Sequence, residues 1–214
     1  MIVAIDGPAG SGKGTISKIV GEKCNLLYID TGATYRCLAL KVLENNIDLE
    51  DKDAIIDAAS KINVRFTLDA KTYLDDVDVS SKIRTPEVSS AASKVSSIPK
   101  VREYMVDLQR RMANSDDVIM EGRDITTVVF PNADYKFYLD ASIEERANRR
   151  YKQNLEKGIE SSLEEIKKSI EERDYADMHK EVGSLMRTDE QTYIDTSNMT
   201  IDEVVEEIRK VIGR

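Results

Sequence analysis

The chain has 214 residues, 41% hydrophobic and 33% charged, enough apolar material to bury a core in one domain or one domain with insertions. Its net charge of −9 argues against general binding to polymeric nucleic acid, which relies on basic surface, so anions must be met by local clusters of Arg and Lys. No run approaches the length of a membrane span and the opening MIVAIDGP lacks a basic leader; a cytoplasmic protein with no membrane partner is expected.

In chain order, IVAID (2–6) is a β-branched apolar run ending in a turn, the pattern of a strand buried inside a parallel sheet. From Thr15 the period turns helical, with Ile16, Ile19 and Val20 on one face. LLYID (26–30) predicts a second strand, followed by helices over 32–45 and 53–62. Cys24 and Cys37 fall in helical patterns without metal-ligand spacing and read as reduced, buried thiols. Three short segments with polar alternation, 63–68, 72–76 and 77–83, predict half-exposed antiparallel strands, an insertion within the strand–helix alternation.

The helical period returns after Pro86, and Pro99 suits the first turn of a further helix. VIMEGRD (118–124) and YKFYLDA (135–141) predict buried strands. Ser142 with Glu145 reads as a capping box opening a helix, then comes an exposed, charge-laced helix over 161–180. TYIDT (192–196) is a last strand, and Thr200 with Glu203 is a second capping box before the final helix. There are no repeats. The alternation implies a parallel α/β sheet with helices on both faces.

The stretch DGPAGSGKGT (6–15) carries the chemistry. A Gly-rich turn between a strand and a helix can close backbone N–H groups around phosphate oxygens, aided by the helix N-terminus. Gly7, Pro8, Ala9, Gly10, Ser11, Gly12, Lys13, Gly14 and Thr15 are therefore expected to bind a nucleotide, with Lys13 placing its charge between the β- and γ-phosphates. The usual pattern puts Ser or Thr directly after the lysine, whereas here Gly14 intervenes before Thr15. This GKGT variant resembles the nucleoside monophosphate kinases. A switch GTPase would need D-x-x-G and N-K-x-D, and the chain contains neither.

Such kinases hold two anionic nucleotides face to face, so the acceptor site needs arginine forks. Candidates are Arg36, Arg84, Arg102, Arg123 and Arg173. Arg36 and Arg123 follow the second and third core strands, where a parallel sheet forms its ligand crevice; a surface role is the competing reading for Arg84. DTGATYR, IRTPEVSSAASKVSSIPKVR, EGRDITTVVFP and RDYADMHK together resemble the cytidylate kinase family, in that family's order and over nearly the whole chain.

The resemblance implies a single P-loop NTPase kinase domain over 1–214: a parallel sheet flanked by helices, a monophosphate-binding insertion at about 37–100 and a mobile helical lid at about 150–180. It implies ATP as donor with Mg²⁺, and CMP and dCMP as acceptors; a monomer is expected. Lys13, Arg123 and Arg173 would be catalytic. Thr31, Arg36 and Arg123 would face the acceptor phosphate, and Ser93, Arg102 and Asp124 would read the pyrimidine. Arg173, Asp177 and Lys180 would act from the lid, with Asp177 near the acceptor sugar. A carboxylate at Asp124 suits cytosine, whose exocyclic amine it can accept from and which uracil lacks.

The chain departs from the family in having Thr126 where glycine is usual, Lys180 where arginine is usual and Ser184 where proline is usual. The ammonium of Lys180 lacks the bidentate fork. His179 reads as a surface residue. Glu121, ending an apolar strand, could hold a metal-bound water or simply pair with Arg123. Repulsion among Arg149, Arg150, Arg173 and Lys180 is expected to keep the lid open until phosphates arrive. Alternatives are another small-molecule P-loop kinase, for adenylate or uridylate, or a nucleotide-binding regulator without turnover.

Overall fold

The computed structural model describes residues 1–113, 117–156 and 158–214. Five strands, β1 (Ile2–Asp6), β2 (Leu27–Asp30), β6 (Val118–Gly122), β7 (Tyr135–Asp140) and β8 (Thr192–Asp195), pair in parallel in the spatial order β2-β6-β1-β7-β8. In β1, Val3 and Ile5 face one side and Ala4 the other, all fully buried, which is why the run is apolar throughout rather than alternating.

On the Ala4 side the sheet packs against α2 (Thr31–Glu44), α3 (Lys52–Ser60), α4 (Pro86–Val95) and α5 (Pro99–Met112). On the other side it packs against α1 (Lys13–Cys24) and α8 (Ile201–Ile212), through Ile16, Val20, Val205 and Ile208. Because the strands run parallel, the turns after β1, β2, β6, β7 and β8 open on one edge of the sheet. The chain runs from β1 to β2 on one side and later crosses from β6 past β1 to β7 on the other, so the crevice of a doubly wound sheet falls at the end of β1.

The expected antiparallel insertion is present as β3 (Val64–Phe66), β4 (Thr72–Leu74) and β5 (Val77–Asp78), in the order β3-β4-β5. Its third strand is shorter than the predicted 77–83. Ser80 donates through both N and Oγ to Asp78 Oδ1, which turns the chain, and Ile83 is then buried in a 3-10 turn (Lys82–Arg84) against α2 and α4. Both predicted free thiols are buried.

The Thr200–Glu203 capping box forms in full. The Ser142–Glu145 box forms by half: Ser142 Oγ accepts from Glu145 N, but Ser142 N donates to Ser197 Oγ and Glu145 pairs with Arg149. A further complete box, Ser162 with Glu165, opens α7 (Leu163–Met178). The helix preceding it, α6 (Ile143–Glu156), meets α7 through a small cluster of Ala147, Ile166 and Ile170.

Candidate active site

The phosphate-loop geometry starts at Gly7, whose φ of 151° and whose lack of a Cβ are both required: a Cβ there would stand 2.0 Å from the Leu139 carbonyl oxygen in β7. The loop closes on Lys13, whose ammonium donates to Pro8 O at 2.8 Å and lies 3.5 Å from Ser11 Oγ. Ala9 to Thr15 line a cleft of about 1400 Å³, while Gly7 and Pro8 shape the loop from behind. The first N–H groups of α1, at Lys13, Gly14 and Thr15, have no partner within the helix and point into this space.

Gly14, unlike Gly7, Gly10 and Gly12, is not one of the positive-φ glycines. It is already inside α1, and its role is room. A Cβ at this position would meet Glu121 Oε1 at 3.3 Å and the Tyr28 hydroxyl at 3.4 Å. The GKGT order thus leaves space for a carboxylate and a phenol beside the lysine.

Glu121, at the end of β6, does not pair with Arg123; its hydrogen-bond partner is the Tyr28 hydroxyl at 3.4 Å. Burial, with Asp30 nearby, pushes its carboxyl up, opposed by Lys13 and Arg123. Burial, reinforced by Arg123, lowers Lys13 to about 7, with Glu121 and Asp6 opposing. An anionic ligand here would restore the lysine's charge.

The residues expected on the acceptor side converge on the same cleft: Thr31, Arg36, Ser93, Arg102, Arg123, Asp124, Arg173, Asp177 and Lys180 all line it. Asp30, the N-cap of α2, binds Arg36 at 2.6 Å and Arg84 at 3.0 Å, so Arg84 joins the site rather than the outer surface. Thr31 is turned inward and donates to Glu121 O at 2.8 Å. Arg123 Nε and Lys180 Nζ each contact Asp177 at 2.7 Å. Burial raises the Asp177 carboxyl, but Arg123 and Lys180 outweigh it and hold the group below its ordinary range.

Of the four cations expected to repel one another, two have partners in this structure. Arg149 is held by Glu145, Thr196 and Ser11 O, and Lys180 by Asp177. Arg173 forms no ion pair among the described residues, and desolvation together with Arg123 lowers its pKa. It is an uncompensated cation reaching into the cleft. His179 lies on the outside, stacked on Tyr175 and donating from Nδ1 to the Tyr175 carbonyl, as expected for a surface residue.

Arg102 and Asp124 form a buried ion pair at the far end of the cleft, with Tyr35 beside the guanidinium. Burial raises the Asp124 carboxyl, opposed chiefly by Arg102. Ser93 is exposed on the cleft wall in α4. Arg36 and Arg102 each keep a buried Nε–H with no partner among the described residues, donors available to a ligand.

Several functional residues escape the sequence reading. Arg146, 4% exposed, joins the Ala9 and Ala141 carbonyls to Asp174 of α7, tying the loop to that helix. Asp6 closes β1 and accepts from Ile125 N, Thr126 N and Thr126 Oγ1. A charged residue ending an apolar strand was the available signal for Asp6; for Arg146, buried in a charge-rich helix, there was none.

Comparison with known proteins agrees with this arrangement. The family profile described as cytidylate kinase matches residues 3–214. The chain belongs to the cytidylate kinase family. A cytidylate kinase of Fusobacterium nucleatum is 50% identical over 100% of this chain and 98% of its own length. One from Clostridioides difficile is 45% identical over 97% of this chain and 96% of its own. Among solved structures, a shikimate kinase from Bacteroides thetaiotaomicron superposes with TM-score 0.52 at 10% identity, covering 100% of this chain and 99% of that one. That likeness concerns fold alone. The core of this chain is a parallel sheet flanked by helices, with a small antiparallel sheet inserted.

Proposed function

We propose that the chain transfers the terminal phosphoryl group of ATP to CMP and dCMP, giving CDP and dCDP. The observation that carries this reading is that one cleft holds the phosphate loop at one end and the Arg102–Asp124 pair at the other, with Arg36, Arg123 and Arg173 along it. Two nucleotides laid along it would place their phosphates among these cations.

The reaction needs no protein nucleophile, since the attacking atom is an anionic phosphate oxygen; alignment and charge neutralisation supply the catalysis. Gly7 to Thr15 hold the donor phosphates, and Lys13 neutralises charge on the transferred group. Thr31, Arg36 and Arg123 hold the acceptor phosphate. Arg173 and Lys180 bring further charge from a lid at about 150–180, and the segment 37–100 forms the acceptor-side insertion. Asp177 turns from its cation partners toward the acceptor sugar. Asp124 accepts from the cytosine amine, while Ser93 and Arg102 serve the rest of the ring edge.

No group of three or more metal-ligating side chains occurs among the described residues. That suits Mg²⁺, which keeps several waters and binds mainly through nucleotide phosphates. Glu121, with only a long bond to Tyr28, would accept from a metal-bound water, and Thr15 stands at the start of α1 within reach of the phosphates. Mg²⁺ neutralises the donor phosphates when bound. We place the protein in the cytoplasm as a monomer.

ADP release measured across the nucleoside monophosphates tests the reading. CMP and dCMP should support turnover well above AMP, GMP and UMP. Equal turnover with AMP, or none with any acceptor, would overturn it.

A further inference from the structure

In the segment that follows α7, residues 180–191, Gly183 lies directly on the Arg102–Asp124 pair. Gly183 has φ of 69°, and a Cβ on it would stand 1.9 Å from Arg102 Nη2 and 2.3 Å from Asp124 Oδ2. The contact is therefore backbone against the ion pair, with no room for a side chain. Leu185, buried, fixes this segment to the end of α7 by donating from N to Asp177 O at 2.8 Å.

A second attachment lies at Gln191, which is 7% exposed. Its Oε1 accepts from Thr188 N at 2.7 Å, while its Nε2 donates to Thr126 Oγ1 and lies 3.4 Å from Met186 O. A backbone N–H can only donate and a carbonyl can only accept, so the amide has one consistent orientation. Thr126 Oγ1 must then accept from Gln191, and its own proton goes to Asp6 Oδ2 at 2.6 Å. The result is a directed chain from Gln191 through Thr126 to Asp6, all three buried. Asp6 immediately precedes the phosphate loop, and Thr126 lies two residues after Asp124 in a π-type turn (Ile125–Val129). A residue without a hydroxyl at 126 would keep its N–H to Asp6 but leave Gln191 without this acceptor.

Building on the assignment of Asp124 as the base-reading carboxylate, we propose that Thr126 and Gln191 form a latch that holds segment 180–191 over the Arg102–Asp124 pair and sharpens selection of cytosine over uracil. Neither residue touches the reacting atoms; both are positioning residues. With the segment held down, the pair reads the base away from water, where an unmatched donor or acceptor is most unfavourable. With the segment released, water reaches the pair and softens the discrimination.

The test compares wild type, Thr126→Ser, Thr126→Val, Gln191→Leu, the Val/Leu double variant and Asp124→Asn, each with CMP and UMP at saturating ATP. Thr126→Val and Gln191→Leu should each raise KM for CMP and lower the CMP-to-UMP ratio of kcat/KM, by about 10-fold, the loss typical of one buried hydrogen bond. KM for ATP should stay within about twofold, and Thr126→Ser should match wild type. The double variant should be no worse than either single one, as members of one bond behave. Hydrogen exchange should quicken across 181–190 and remain unchanged in β6.

Should Thr126→Val not fold, Gln191→Leu leaves every Asp6 bond intact and carries the same test. The latch is wrong if Thr126→Val and Gln191→Leu keep the wild-type ratio while Asp124→Asn loses it. It is also wrong if KM for ATP rises as much as KM for CMP, which would mean a general loss of structure around Asp6. A ratio untouched by Asp124→Asn overturns the base-reading assignment and the latch with it.

Discussion

The two ends of the cleft prepare for phosphate in different ways. At the donor end the groups aimed at a ligand are helix N–H groups and one lysine, Lys13, held by the Pro8 carbonyl rather than by a carboxylate. At the acceptor end most cations are already occupied: Arg36 and Arg84 by Asp30, Arg123 and Lys180 by Asp177, Arg102 by Asp124. The donor end is preformed, and no carboxylate forms an ion pair with its lysine among the described residues. On the proposed reading, the acceptor end holds its arginines on internal carboxylates, with which an incoming phosphate would compete. Backbone donors cannot swing away, so they need no counter-ions to stay in place; long arginine side chains do. Arg173, uncompensated on α7, belongs in behaviour with the donor end.

The largest effect should come from the donor end. Lys13→Ala should lower kcat by on the order of 10³-fold with the fold intact, because the charge acts on phosphate in the transition state. Steady-state turnover beside a circular dichroism melt checks both halves. Near-normal turnover with CMP would remove Lys13 from the reaction. Arg173→Ala should follow at about 10²-fold in kcat, as expected for an unpaired cation whose partner is the substrate. A change in KM alone would place Arg173 in ground-state binding instead.

At the acceptor end the effects should be smaller, since removing one partner there also changes an existing ion pair. Asp124→Asn should weaken CMP and narrow its lead over UMP by about 10-fold, because the amide can offer a donor where the cytosine amine needs an acceptor. Asp30→Asn should do the reverse for the phosphate: asparagine still caps α2, while Arg36 and Arg84 lose their competing charge. KM for CMP should fall by about threefold, on the scale of a modest ion-pair contribution. An increase would show that Asp30 orients the arginines rather than competing for them.

The subtlest signal is one proton. In the empty site Lys13 sits near about 7, below its ordinary value through burial and Arg123. Bound phosphate favours the charged form and raises it. Above pH 7 ATP binding should therefore take up close to one proton, and affinity should decline as pH rises; near pH 6 uptake should vanish. Calorimetry in buffers of different ionisation enthalpy reads this directly. Lys13→Ala should abolish the uptake, and no acceptor-side substitution should.

Much of this could be read before any coordinates. The strand–loop–helix at Asp6 to Thr15, the Thr200–Glu203 cap and the helices after Pro86 and Pro99 depend on neighbours a few residues apart, so pattern alone located them. The acceptor arginines were recognisable from position after strand ends and from family resemblance, and the structure brings them to one cleft. Their partners were not recognisable. Arg123 with Glu121 was a reasonable pair on sequence proximity, yet Arg123 turns to Asp177, 54 residues away. The strand predicted over 77–83 stops at Asp78 because a local Asp78–Ser80 turn and the burial of Ile83 override polar alternation.

By itself, then, the sequence determined the parallel α/β core and the Gly-rich strand–loop–helix, because periodicity, capping and glycine placement act over a few residues; which side chains would face phosphate and pyrimidine came from the family resemblance instead. Only the tertiary structure decided why Gly14 follows Lys13, since the crowding atoms belong to Tyr28 and Glu121 on two other strands. It alone decided that Thr126 bonds Asp6 across 120 positions and Gln191 across 65. Such contacts depend on which strands lie side by side and on the side-chain packing between them, and neither is written in any short window of the chain.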